Sequence, residues 1–342
     1  MTKANFQYRE AECATCSFLI LSIIVLFATG CSHPSSEVVG DKAPAHPESL
    51  KMGYRPNALA DITPVVVKEA GISRAAVTLD LVSVSSPPDG WNKFKTSEVD
   101  ALAGMPLVSI FDQLAGSGPK RKFIAYFLQV DLNGEGWVAL VGSKRLGISS
   151  VSNLAGKTVA TLNTDQAKWL MRRILIAAGI PQEKINIVQY NPATPLVGLR
   201  NSEHAAIFGL EPALSEAVSE GNVILARGPI SHYLYNDRPV PLSASVIATD
   251  WVEKHPKAFA DFNEVMNEAV KTSKEQPDRV RGFFQKTEYG GLKPEITDVL
   301  SLPVMAKPNP SLKQITQQYV NDMARDGVLK GNVDLTPLFP ER

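Results

Sequence analysis

The sequence predicts an α/β fold of two lobes, each a parallel sheet covered by helices, joined by a two-strand hinge. Three observations lead there. Strand-like and helix-like segments alternate along 51–130, and the same rhythm repeats along 158–226. Glycine and proline punctuate both runs, at Gly71, Pro87, Pro88, Gly90 and Gly179. The chain has 342 residues, enough for about two domains of ~100–200 residues each.

The elements follow in order. Residues 52–55 read as a short strand, and 58–70 as a helix stopped by Gly71. A β-branched strand covers 77–85, broken by Pro87, Pro88, Asp89 and Gly90 before a short helix. Residues 99–103 form the next strand. Gly104-Met105-Pro106 then opens a helix, with Pro106 suited to a first helical position. A further strand spans 122–130. The second run starts with a strand at 158–163, where Thr164 or Asp165 can cap a helix that stops at Gly179. Strands at 185–190, 205–210 and 222–226 alternate with helices at 195–202 and 212–219. Beyond about 255 the pattern is mainly helical: 257–273, 278–284, 296–301 and 312–325. The apolar segments 137–143 and 244–249 are expected to carry the chain between the lobes and back.

The N-terminus reads as a targeting segment. Lys3 and Arg9 precede an apolar run at 18–29, far short of the ~20 residues that span a bilayer. The run ends in Ala28-Thr29-Gly30-Cys31, which resembles a bacterial lipoprotein cleavage box, although Ala28 stands where leucine is usual. Cys31 is then the lipid-bearing first residue of the mature protein. The other two cysteines, Cys13 and Cys16, leave with the leader, so their C-x-x-C spacing is no redox or zinc site. Residues 31–49, rich in Ser, Pro, His, Glu and Ala, read as a flexible tether. The organisation expected is a leader at 1–30, a tether at 31–49, lobe one at 50–140 and lobe two at 141–245. A return segment with C-terminal helices at 246–342 mainly completes lobe one.

Composition narrows the role. Lys+Arg and Asp+Glu both number 35, so the basic footprint of a nucleic-acid binder is missing. At 44% hydrophobic, the chain has the means to build a core without disulfides. Ala155-Gly156-Lys157-Thr158 resembles the end of a phosphate loop, but Val151 stands where its first glycine belongs. Gly134-x-Gly136 opens no helix. The histidines lack metal-ligand spacing, and no Gly-x-Ser-x-Gly elbow occurs.

Five ordered segments carry a resemblance: Gly53-Tyr54-Arg55-Pro56; Ser97-Glu98-Val99-Asp100-Ala101; the stretch 151–160 from Val151 to Ala160; His204-Ala205-Ala206-Ile207 with Glu211-Pro212; and 250–256 from Asp250 to Pro256. Together, across about 51–330, they resemble the ABC-importer solute-binding proteins for nitrate, aliphatic sulfonates and taurine. That superfamily also includes thiamine-pyrimidine synthase-like proteins. His204 replaces a commoner Asp, and Gly209-Leu210 replace a usual aromatic. The resemblance implies a type II periplasmic binding protein fold: an extracytoplasmic monomer, tethered by lipid, handing a small anionic or zwitterionic solute to a membrane permease. It implies no enzyme, cofactor or metal. One rival is a ligand sensor feeding a signalling receptor. The other, a thiamine-pyrimidine synthase-like enzyme, leans on a cysteine cluster that a mature chain with Cys31 alone lacks.

Ligands of open α/β sheets bind beyond the carboxyl ends of the strands. Those ends offer Arg55, Asn57, Ser85, Ser86, Gly104 and Met105 in lobe one. In lobe two they offer Asn163, Thr164, Asp165, Asn191, Thr194 and Glu211. Arg55 is the expected cation for an anion whose other side meets the helix opening at Thr164-Asp165. An inward Asp165 would favour a cationic or zwitterionic ligand instead. Arg55 also reads as an ordinary surface residue, Thr164 and Asp165 as plain caps, Glu211 as a helix-start carboxylate, and Trp137 as core or hinge packing.

Overall fold

The first strand, β1 (Glu48–Tyr54), is buried along most of its second half, because it lies inside a sheet, flanked by a strand on each side and covered on both faces. The computed structural model describes residues 46–115, 118–192 and 194–340. The leader, Cys31 and most of the expected tether lie outside the described residues. Glu48 and Ser49, expected in the tether, belong to β1.

In chain order the remaining elements are α1 (Ile62–Ala70), β2 (Val77–Ser83), α2 (Pro87–Lys95), β3 (Ala101–Pro106), α3 (Leu107–Leu114) and β4 (Phe123–Asp131), then β5 (Val138–Gly142), β6 (Thr158–Thr161), α4 (Asp165–Ala177), β7 (Asn186–Gln189), α5 (Val197–Arg200), β8 (Ala206–Leu210), α6 (Ala213–Ser219) and β9 (Val223–Arg227). The chain returns through α7 (Pro229–Tyr235), β10 (Val240–Ala248), α8 (Thr249–Lys254), α9 (Pro256–Glu275), α10 (Pro277–Phe283), α11 (Pro294–Thr297), β11 (Val304–Ala306) and α12 (Pro310–Arg325).

Two sheets result. One runs β11-β4-β10-β3-β1-β2, the other β7-β6-β8-β5-β9. The architecture is the two-lobed α/β fold expected, with one correction: the sheets are mixed. β1 pairs in parallel with β2 and β3, and β6 with β7 and β8. β10 and β11 are antiparallel to their neighbours, as is β5 to both of its own. A strand that crosses from one lobe to the other enters the new sheet against the direction set by its strand–helix–strand units.

The crossings also move. Residues 137–143 and 244–249 are not linkers. β5 lies inside the second sheet between β8 and β9, and β10 inside the first between β4 and β3. The second sheet therefore spans Val138–Arg227, and the passages are 132–137 and 228–239. A uniformly apolar strand declares burial on both faces but not which sheet buries it.

The two passages are stitched together. Gly134 N–H donates to Arg227 O at 3.0 Å, Gly228 N–H to Val138 O at 3.1 Å, and Arg227 Nη1 to Gly136 O at 2.8 Å. Gly228 has φ +65°, and a Cβ there would lie 1.9 Å from Leu132 O, so only glycine lets the passages touch. Asp131, at the end of β4, accepts from Ser231 N–H at the start of α7 at 2.7 Å.

C-terminal elements complete the first lobe: β11 joins its sheet, α9 packs on α1 and β2, and α12 packs on β10. α12 also meets α4 of the second lobe. There Trp169 Nε1 donates to Asp326 at 2.8 Å, Arg173 pairs with Asp322 at 2.8 Å, and Gln166 donates to the Tyr319 hydroxyl.

Candidate functional site

The site grows from one glycine. Gly104 lies in β3 with φ +53°, and a Cβ would sit 2.2 Å from Ala60 O and 2.4 Å from Asp61 Oδ1. Its bareness lets the turn at Leu59–Asp61 press on the strand. That turn buries Asp61 completely and aims it at Arg55. Arg55 Nη2 donates to Asp61 Oδ1 at 2.6 Å and to Gly104 O at 2.9 Å. Its Nε and its backbone N–H reach Asp61 Oδ2 at 3.2 and 2.7 Å. Burial pushes the Asp61 carboxyl up from its ordinary range, while the Arg55 charge and these donors pull it back toward the carboxylate. Arg55, expected as a free cation, is instead half of a buried ion pair.

Opposite, the second lobe offers Glu211 at the end of β8. It is buried, which raises its pKa, and it accepts from Ser215 N–H at 2.9 Å, Arg227 Nη1 at 3.3 Å and Ser301 N–H at 3.4 Å. Thr164 caps α4 by accepting from Ala167 N–H at 3.1 Å.

Between these groups lies a cavity of about 220 Å³, walled by both lobes. Of the expected site residues, Arg55, Gly104, Thr164 and Glu211 line it. Much of the remaining wall is hydrocarbon, including Leu59, Leu162, Leu170, Phe208 and Leu242, and Trp137 joins it from the first passage. Beneath Gly104 and Ser243 runs a buried network. Ser243 donates to Gln129 Oε1 at 2.7 Å, Gln129 to Ser245 Oγ at 3.2 Å, and Gly104 N–H to the same Oγ at 3.0 Å.

The other expected residues do not line this cavity. Ser85 and Ser86 follow β2, and Asn191 and Thr194 follow β7. Both are edge strands, whose ends lie away from the sheet centres. Ser85 donates to the Asp89 carboxylate from its backbone N–H and its hydroxyl and holds it below the usual range, while Ser86 caps α2 by accepting from Asp89 N–H. Met105 is core, because β3 continues through it and neighbours in a strand face opposite ways. For the same reason Pro106 ends β3 rather than starting α3. Asn57, Asn163 and Asp165 are exposed outside the cavity wall, so Asp165 does not cap inward. His204 packs its ring against Gly198, where a Cβ would meet it at 2.2 Å, and burial lowers its pKa. Asp61, Trp137 and Gln166 were not among the expected ligand contacts. Among the described residues no group of three His, Cys, Asp or Glu is arranged to hold a metal ion, and no helix is long and apolar enough to cross a membrane.

The sequence model of the NMT1-like family matches residues 43–282, which takes in both sheets except β11. The chain belongs to the NMT1-like family. Its fold recurs in solved structures. This NMT1-like chain is 17% identical to the periplasmic aliphatic sulphonate-binding protein SsuA of Escherichia coli, covering 86% of this chain and 98% of that one, with a TM-score of 0.66. An ABC transporter structure from Parabacteroides distasonis also reaches 0.66, at 14% identity over 86% of this chain and 99% of the other. The periplasmic nitrate-binding protein NrtA of Synechocystis PCC 6803 gives 0.57 at 15% identity, over 83% of each chain. No curated protein matches the NMT1-like chain by sequence.

Proposed function

We propose that the chain is the solute-binding lipoprotein of an ABC importer. It holds a small solute between its lobes and delivers it to a membrane permease. One observation carries the reading: the interlobe cavity is lined jointly by strand ends of both sheets, Arg55 and Gly104 from one, Thr164 and Glu211 from the other. That arrangement buries a ligand when two lobes close about a hinge. The NMT1-like match and the names of the sulphonate- and nitrate-binding structures support it. Non-catalytic binding fits the cleft's chemistry, since Glu211 in its wall and Asp61 behind Arg55 are both engaged by arginine.

Extracytoplasmic placement and the lipid anchor rest on the leader and on Cys31. Cys31→Ala is expected to move the protein from the membrane to the soluble fraction; equal membrane association of both forms contradicts the anchor. For the binding role, a screen of small solutes against thermal unfolding is expected to find one that stabilises the fold by about 2.7 kcal/mol at a hundred times its Kd. Failure of a broad set of sulfonates, carboxylates, amides and amines to shift Tm counts against it.

A further inference from the structure

The cleft wall carries one charged group from each lobe, Arg55 and Glu211, each paired behind the wall, so the site has little net charge. Asp61 is wholly buried against Arg55, and Glu211 is buried against Arg227. An anion entering the cleft loses its hydration and meets one cation, Arg55, already neutralised by Asp61, with the Glu211 carboxylate in the opposite wall. A cation fares no better, for the same reason with the signs reversed.

Donors nonetheless remain. The hydrogen bonds of Arg55 occupy Nε and both hydrogens of Nη2, while Nη1 has no partner among the described residues. The Trp137 side chain is 6% exposed, lines the cleft, and its indole N–H has no partner among the described residues. A buried donor left unmade is costly, so an indole N–H in a cleft wall calls for an acceptor from outside the chain. Size narrows the class further. The cavity of about 220 Å³ is moderately larger than the ~150 Å³ apolar cavity that holds benzene.

We propose that the solute is an uncharged molecule of about one ring in size, with an apolar body and a carbonyl-type acceptor that Trp137 Nε1 and Arg55 Nη1 meet. This rests on the cleft being the binding site.

The test uses three near-isosteres that differ in charge: benzamide, benzoate and benzamidine. Each is titrated calorimetrically into the full chain carrying Cys31→Ala. Benzamide is expected to bind at least about tenfold more tightly than either ion, a difference of ~1.4 kcal/mol. Ala58→Trp, which adds an indole to a half-exposed position of the cleft wall, is expected to weaken benzamide by at least about tenfold while leaving cooperative unfolding intact. Asp61→Asn is expected to shift the ratio toward benzoate by uncovering the Arg55 charge. Should that variant not fold, the wild-type comparison still decides.

Benzoate binding as tightly as benzamide, or more tightly, overturns the uncharged class and leaves the solute-binding reading standing. No binding by any of the three at millimolar concentration overturns the ring-sized neutral solute. Benzamide binding that ignores Ala58→Trp places the ligand outside the cleft, and the reading of the cleft as the solute site falls with it.

Discussion

Asp131 ends β4 at 1% exposure, with one carboxylate oxygen accepting from Ser231 N–H and the other without a partner among the described residues. Burial raises its pKa from 3.8 to about 7, against the pull of the Ser231 and Ile230 amides. The folded state therefore holds a proton that the unfolded chain releases near pH 4. The stability this group contributes is full below pH ~4, and is lost as pH rises toward about 7, by on the order of a few kcal/mol. Asp131→Asn is expected to flatten that decline. Tm measured from pH 4 to 8 in both proteins checks it, and parallel curves would contradict the assignment.

Arg55 and Asp61 make the second case at this scale. Arg55→Ala leaves Asp61 buried and unpaired, and is expected to cost ~3–5 kcal/mol in denaturant unfolding. Asp61→Asn added to it should recover much of that loss. A loss below ~1 kcal/mol for Arg55→Ala would mean an exposed, dispensable pair. The sequence disclosed Arg55 as a strand-end cation but not its partner. Asp61 reaches it only because Gly104 lets the turn at Leu59–Asp61 close, and nothing in local spacing announces that approach.

At the scale of elements, period and punctuation served well. The strand and helix segments of both lobes were legible from β-branched runs and from stops such as Gly71 and Gly179. α7 and β11 were not, being short pieces inside the passages and the C-terminal segment. Lateral order was also hidden. Ser85 and Thr194 follow strands as regular as β1 or β6, but β2 and β7 lie at sheet edges, and edge position depends on pairings made across the whole chain. β10 and β5 mark the same limit, since their apolar runs announce strands without announcing antiparallel insertion. The passages themselves hinge on Gly228. Gly228→Ala places a side chain at φ +65° and against Leu132 O. It is expected to cost at least ~1–2 kcal/mol from the backbone alone, with the steric contact adding to it. Unfolding midpoints within error of wild type would show that the passages yield there without resistance.

Across the whole molecule, among the described residues, the two lobes meet at the stitched passages, at the cleft and at the contact of α4 with α12 through Trp169, Arg173 and Gln166, and also where α6 packs on the 294–301 segment through Ser215–Val299 and Glu211–Ser301. Gln166 belongs to both the second and the third, because it lines the cavity and donates to Tyr319. Filling the cleft and closing the clasp are therefore coupled through one side chain, and a solute that holds α4 in place favours both. The duplicated lobes were readable from the repeated rhythm, whereas the clasp was not, because α12 lies about 150 residues after α4 in the chain. The measurement that tests this account most directly is small-angle scattering, with and without a solute that raises Tm, on the wild-type chain and on Ala58→Trp. The account expects the solute to reduce the radius of gyration of the wild type and to leave the cleft-blocked variant unchanged. Equal compaction of both, or tight binding to the wild type without compaction, would contradict a solute held between closing lobes.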